Sequence, residues 1–298
     1  MTITITPPID IEELAFFLAE ANKVPSKHIG YCGSDKESIL HDLTHDFSDL
    51  DLAKSFTVAY ENEIIIGAMG LDIDEDDLSA EVWGPFLRGE SMIVLAENLF
   101  KKVLSYSDSE ISLRKFFFFL NQENKIGKEF VLNLGGIEKG NHYILQAKRD
   151  GFKESNHKEI EKYETGFEGS FSKIHQLEFP TTYYNAKNII SRLNEHNQLL
   201  IIKNDSTEIK GYVYVEAEPE QGQGSIEYVA VSDKFRKQGI GTKLIQSALN
   251  HLFSYESIKG VTLSVEKENE KAIHLYEAAG FNRKHELIDL RMERTPCN

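Results

Sequence analysis

The sequence predicts a mixed α/β protein built from two copies of one plan, each a mostly antiparallel mixed sheet flanked by helices. Three observations predict it. The chain has 298 residues, room for two domains of about 150 each, both able to bury a core. Short β-type apolar runs bounded by turn residues alternate with amphipathic segments of helical period. Five segments of the second half find partners in the first half in the same order.

The second half shows the plan most clearly. Ala186, Ile189, Ile190 and Leu193 mark a helix. Strands follow at Leu199–Lys203, Gly211–Glu218 and Ser225–Val231, separated by Asn204-Asp205 and by Gln221 to Gly224, which reads as antiparallel hairpins. Beyond Gly239, residues Ile240, Leu244, Ile245, Ala248, Leu249 and Leu252 form one helical face. A strand at Val261–Val265 then leads to a helix that Asn269 can cap and Gly280 can stop. In the first half, Phe56–Asp74 matches the first hairpin, with Gly67 at the place of Gly211, and Ala80–Phe86 matches the next strand, pairing Glu81 with Glu227. The helix ending at Tyr106 matches the one ending at Tyr255. Phe116–Asn124 matches Val261–Asn269, and Tyr143–Phe152 matches Ala272–Phe281, setting Ala147 opposite Tyr276. The turn-forming run Gly166 to Ser170 places the boundary between a domain of residues 1–165 and one of 166–298.

Composition narrows the class. With 41% hydrophobic and 27% charged residues the chain reads as globular. Its longest apolar run, Phe116–Leu120, is far short of the roughly 18 residues of a membrane span. No basic start followed by an apolar stretch opens the sequence, so a cytoplasmic location is expected, with no membrane partner. Cys32 and Cys297 are the only cysteines, which excludes a disulfide framework and a cysteine zinc site. The net charge of −15 disfavours nucleic acid. Residues 1–165 hold 17 basic against 30 acidic side chains, net −13, and residues 166–298 hold 16 against 18, net −2. An anionic ligand is therefore expected in the second half.

One motif carries chemistry. Arg236-Lys237-Gln238-Gly239-Ile240-Gly241-Thr242 lies between a strand and an amphipathic helix. A glycine turn opening a helix presents free N–H groups and the positive end of the helix dipole, which suits a phosphate. Glycines at 239 and 241 allow close backbone approach, and Arg236 and Lys237 can offset the charge. No Gly-Lys-Ser/Thr run of a P-loop and no GxGxxG is present.

These residues resemble the GNAT superfamily of acetyl-CoA-dependent N-acyltransferases, whose pyrophosphate loop is matched by Arg236, Gly239 and Gly241. Val265, Asn269, Leu275, Tyr276, Gly280 and Phe281 match the family's second element, so the resemblance covers residues 171–292. It implies a tandem GNAT arrangement with acetyl-CoA as cosubstrate, no metal, and direct acetyl transfer to a primary amine of a small molecule or peptide. It also implies that backbone groups of Val229, Ala230 and Val231 pair with the pantetheine arm. Tyr276 is then the acid for the departing thiolate, its alternative being a half-buried aromatic. Asn269 is either a cofactor contact or a helix cap. Glu227, on the strand beside the cofactor, is the candidate base, with Glu216, Glu218 and solvent as competitors.

The first copy lacks the glycine loop, its connection being three residues shorter with only Arg88-Gly89 in it, and lacks the tyrosine. It resembles the degenerate half of tandem GNAT enzymes. An idle acyl-CoA sensor or scaffold is the rival function, and the oligomeric state is left open. Weaker signals take ordinary readings. His41 and His45 are surface histidines on a helix, Asp72 and Asp74–Asp77 a solvated hairpin tip, and Cys32 a structural thiol. Phe179–Tyr184 lines either an acceptor pocket or the core.

Overall fold

A computed structural model describes residues 3–45, 47–89, 93–204 and 208–294. Cys297 and Asp205 lie outside the described residues. The first half of the chain forms β1 (Ile3–Thr6), α1 (Ile11–Asn22), α2 (Lys36–His45), α3 (Leu52–Ser55), β2 (Phe56–Glu61), β3 (Ile64–Asp74), β4 (Ser79–Leu87), α4 (Ile93–Ser107), β5 (Lys115–Asn121), α5 (Lys125–Asn133) and β6 (Ile137–Lys148). The second forms β7 (Ile160–Lys162), α6 (Glu168–Glu178), α7 (Ala186–Arg192), β8 (Gln198–Lys203), β9 (Ile209–Glu218), β10 (Gln223–Val231), α8 (Ile240–Phe253), β11 (Gly260–Glu266), α9 (Glu270–Ala278) and β12 (Asn282–Glu293). The helices and strands expected for residues 186–280 are all present. Among the described residues no helix is long and apolar enough to cross a membrane.

The chain divides into two compact units, but not at 165/166. One unit joins residues 1–142 to 285–298, and the other is 143–284. The reason is an exchange of final strands. In the first unit the strand order is β1-β2-β3-β4-β5-β12, with Leu287–Glu293 of β12 antiparallel to Asn121–Lys115 of β5. In the second unit β6 borders β11, and the Arg149 N–H donates to the Lys259 carbonyl at 2.9 Å. The turn at Gly166 is real, with φ of 109°, yet it lies inside the second unit because β7 before it pairs with β8.

The first unit packs α1, α4 and α5 over a core rich in phenylalanine, with Phe56, Phe86, Phe116, Phe118 and Phe130 fully buried. Phe100 meets Phe116 and Phe130 edge-on at 5.4 and 5.7 Å. In the second unit, β7-β8-β9-β10 form an antiparallel sheet with a core on each face. Leu244, Ala248 and Ile273 of α8 and α9 fill one face, and Phe171 and Ile189 of α6 and α7 meet Tyr212 and Tyr214 on the other.

The repeat is real in plan, but two of its expected pairings shift. Gly67 faces Leu87 as Gly211 faces Val231, and Asp72 faces Glu81 as Glu216 faces Ser225. Glu81 thus occupies the place of Ser225, and buried Trp83 faces Gly70 as Tyr228 faces Tyr214, so the bulged Glu227 has no counterpart on β4. Tyr143–Phe152 does not form the helix that would set Ala147 opposite Tyr276, because Ala147 lies on β6. The counterpart of α9 is α5. Asn124 caps α5 by accepting from the Gly127 N–H as Asn269 caps α9, and counting from the caps puts Val131 at the Tyr276 position.

Candidate functional site

The site begins with an irregular strand. β10 pairs with β9 through a register shift between Ile226 and Tyr228, which leaves Glu227 as the extra, bulged residue. On its other side β10 lies beside β11, yet the two are edge strands of different sheets, so β10 carries an open edge. The Ser232 N–H donates to the Lys210 carbonyl on β9 at 2.9 Å. By antiparallel alternation the backbone groups of Ala230 face β9 as well, and those of Val229 and Val231 face the open edge. Of the three backbone positions expected to hold a pantetheine arm, Val229 and Val231 therefore face that edge, and the Val231 carbonyl there already accepts from Arg236 Nε. A cavity of about 370 Å³ lies between Gln223–Ser225 of β10 and Gly260 and Thr262 of β11, with Glu216 and Glu218 on its wall.

Past Val231 the chain enters the glycine loop. Lys237 and Gly239 take left-handed conformations, with φ of 61° and 74°, and Gly239 caps α8 without any side-chain hydrogen bond. The first N–H groups of α8 consequently have no acceptor within the helix. A Cβ on Gly239 would meet nothing within 4 Å, so this glycine serves both the turn and an open approach. Gly241 differs. Its Cβ would lie 3.0 Å from Leu275 Cδ1 and 3.7 Å from Val231, so it lets α8 pack on α9 instead of clearing space for a ligand. Ile240 is buried in the core, whereas Gln238 is exposed and Thr242 half-buried.

Arg236 does not reach freely toward a ligand. Its Nε donates to the Val231 carbonyl at 3.0 Å, and its terminal nitrogens pair with Glu178 and Asp233. Lys237 is left as the loop cation without an ion pair among the described residues.

Tyr276 packs half-buried on the α8–α9 side, edge-on to Phe281 at 5.5 Å, and burial raises its phenol above the usual value near 10. Its hydroxyl has no hydrogen-bond partner among the described residues. Asn269 acts as a cap, its Oδ1 accepting from the Ala272 N–H at 3.2 Å. Glu227 is exposed and unpaired, on the side of Tyr184, whose phenol is pushed up first by burial and then by Glu216 and other neighbours including Glu227. Glu216 is already engaged, accepting from both Arg192 Nε and a terminal Arg192 nitrogen at 3.0 and 3.2 Å, and from the Tyr214 hydroxyl at 2.5 Å.

Some of this wall escapes sequence reasoning. The segment Phe179–Asn185 is pinned by Tyr228, whose hydroxyl accepts from the Tyr184 N–H at 3.2 Å and bonds Thr182 at 2.6 Å. His175 bridges the Tyr212 hydroxyl at 2.6 Å and the Tyr184 carbonyl at 2.7 Å, and burial lowers its pKa. The guanidinium of Arg192 stacks on the Tyr184 ring at 4.5 Å, and Tyr183 is 87% exposed. The ring pair Tyr183–Tyr184 thus faces outward as well as inward, and Phe179 packs inward on Tyr228. Elsewhere, His41 and His45 stack on each other at 4.5 Å, and no metal-holding group of three or more His, Cys, Asp or Glu gathers among the described residues. Cys32 is buried, and burial raises its thiol pKa.

The sequence profile of the acetyltransferase (GNAT) family matches residues 160–281. Residues 160–281 thus match the GNAT acetyltransferases. It is 27% identical over 86 residues to a mycothiol acetyltransferase of Propionibacterium freudenreichii, covering 28% of this chain and 27% of that protein. It is 33% identical over 60 residues to a spermidine N(1)-acetyltransferase of Escherichia coli, covering 20% and 32%. The chain thus spans about a third or less of the length of these relatives. In fold it is similar to a GCN5-related N-acetyltransferase from Sphaerobacter thermophilus, with TM-score 0.71, 16% identity, and coverage of 98% and 95%. It is likewise similar, over the whole of both chains, to a tandem GNAT protein from the clavulanic acid biosynthesis pathway, with TM-score 0.65 and 13% identity.

Proposed function

We propose that the second unit transfers the acetyl group of acetyl-CoA to a primary amine of a small molecule or peptide, within a ternary complex and without a covalent enzyme intermediate. The observation that carries this is the open edge of β10, bulged at Glu227, leading straight into the uncapped start of α8. Val229 offers its N–H and carbonyl, and Val231 its N–H, to an extended amide-bearing chain, and the free N–H groups of α8 with Lys237 suit a pyrophosphate. Acetyl-CoA, when bound, supplies the activated thioester.

The residues then divide the proton work. A protonated amine cannot attack, so Glu227, directly or through water, takes its proton. The nitrogen lone pair forms the new C–N bond, an N–H on the β10 edge polarises the carbonyl, and the C–S bond breaks. Tyr276, kept protonated by burial, gives its proton to the leaving sulfur, and the proton still on the acylated nitrogen passes through water to the phenolate, which leaves a neutral amide, a free thiol and a restored Tyr276. The paired state of Glu216 favours Glu227 over it as base. Glu218 and Glu227 together make a cationic small amine the favoured acceptor. A place in the cytoplasm fits this reading.

The test is thiol release from acetyl-CoA by the full chain against amines, polyamines, aminoglycosides and peptide N-termini. Release on adding one class supports the reading and names the acceptor. Tight acetyl-CoA binding with no release for any amine would replace the enzyme by an acyl-CoA sensor.

A further inference from the structure

At the far end of α9 from Asn269, a second cavity of about 590 Å³ is lined within the second unit by Lys148, Lys153, Lys284, Arg283 and the turns at Gly151 and Gly280. Its size is that of a small-molecule site. Its charge is unusual for a chain of net −15. Arg283 is neutralised by Glu277, with Nε donating at 2.8 Å, and lies over the Tyr143 ring at 4.4 Å. Lys148, Lys153 and Lys284 have no carboxylate partner among the described residues, and Asp150 is the one acid on the wall not already paired. Partial burial, and then the charge of Lys148, lower the pKa of Lys284, so these two ammonium groups repel each other.

The end of α9 does not require them. Its last carbonyls already accept from the N–H groups of Ala279, Gly280 and Phe281, and a helix dipole is complemented by about one cation worth up to ~1 kcal/mol. Three unpaired lysines in a concavity are better explained by a ligand that supplies the missing negative charge.

We propose that this pocket binds a small polyvalent oxyanion, phosphate- or carboxylate-bearing, between Lys148, Lys153 and Lys284. The site is separate from the glycine loop and does not depend on the transferase reading. Amide resonances of Gly151 and Gly280 report on it, and those of Gly239 and Gly241 report on the loop. Pyrophosphate, citrate and, at matched ionic strength, acetate are titrated into the full chain. Saturable shifts of Gly151 and Gly280 with pyrophosphate or citrate support the site, and the stronger of the two says whether phosphate or carboxylate is read. A Lys148→Gln/Lys284→Gln double variant with unchanged melting temperature is expected to bind roughly 10- to 100-fold more weakly. Shifts confined to Gly239 and Gly241, an equal response to acetate, or full affinity in the double variant would overturn the proposal.

Discussion

Along two equivalent strands the units place their irregularities differently and carry opposite chemistry. In the second unit the residue at the bulge is a free carboxylate, Glu227, followed by Val229 and Val231 with backbone groups on an open edge. In the first, Trp83 is buried, the irregularity falls at Gly84-Pro85, and Pro85 brings no N–H to the strand. Eight residues separate Val231 from Ile240, and five separate Leu87 from Ile93. Seven residues beyond equivalent caps stand a half-buried phenol in one unit and the fully buried Val131 in the other. What both units keep is scaffold: the capping asparagines and the splay of the central strands, since β4 pairs with β5 only from Ser79 to Glu81. The first unit even keeps a cavity of about 700 Å³ bounded by Pro85, Leu87, Ile93 and Asn124. Packing preserves a fold without help from chemistry, whereas donors and acids need only one substitution each to vanish.

The largest effect should come from removing the chemistry the first unit already lacks. Tyr276→Phe is expected to lower kcat by roughly 10²- to 10⁴-fold with acetyl-CoA affinity nearly unchanged, as read from steady-state rates and calorimetry. Because burial raises this phenol, wild-type activity should show no fall below pH 9 from its ionisation. Wild-type turnover in the variant would return Tyr276 to packing alone.

The two glycines should next separate ligand approach from packing. Gly239→Val, at φ of 74° and facing open space, should weaken acetyl-CoA binding about tenfold or more, at a backbone cost of about 1–2 kcal/mol. Calorimetry on the parent should give one tight site per chain, and the same single site, weakened, in the variant. Two equivalent tight sites would mean the first unit is no degenerate copy. Gly241→Glu should instead melt the second unit early, because its Cβ meets Leu275 at 3.0 Å.

For Glu227→Gln a smaller, pH-dependent loss of kcat/KM is expected. A flat response across pH would pass the base to water or Glu218.

The smallest effect tests the electrostatic difference between equivalent acids. Glu216 has Arg192, whereas Asp72 is no part of the exposed hairpin tip but half-buried, facing Glu81, and pushed up to about 7 by burial and by neighbouring carboxylates. A carboxyl whose folded pKa is raised binds more protons folded than unfolded, so stability should fall as pH rises from about 4 to about 7 and level off above. Asp72→Asn should flatten that part of the melting-temperature profile. An unchanged slope would place the pH dependence elsewhere.

The glycine loop, α8 and α9 were legible because local signals suffice for them: apolar spacing, a cap, and a strand leading into a glycine turn. Tyr143–Phe152 misled because its apolar residues suit either period, although the alternation of buried Leu145 and Ala147 is that of a strand. Glu81 was set against Glu227 because the two carboxylates look alike, while register is fixed by the bulges, which the letters do not mark. The Arg192–Glu216 and His175–Tyr212 pairs join residues far apart in sequence, and no local pattern points to them.

The exchanged strand bears on how the protein is made. A ribosome delivers Lys115–Asn121 well before Leu287–Glu293, the segment that pairs with it, an interval on the order of ten seconds at ordinary elongation rates. For that time a phenylalanine-rich strand has one edge without its eventual neighbour, the condition under which nascent chains stick to one another. The first unit is therefore completed only after the whole of the second has been made, so a stop codon anywhere between the two segments would leave the first unit unfinished.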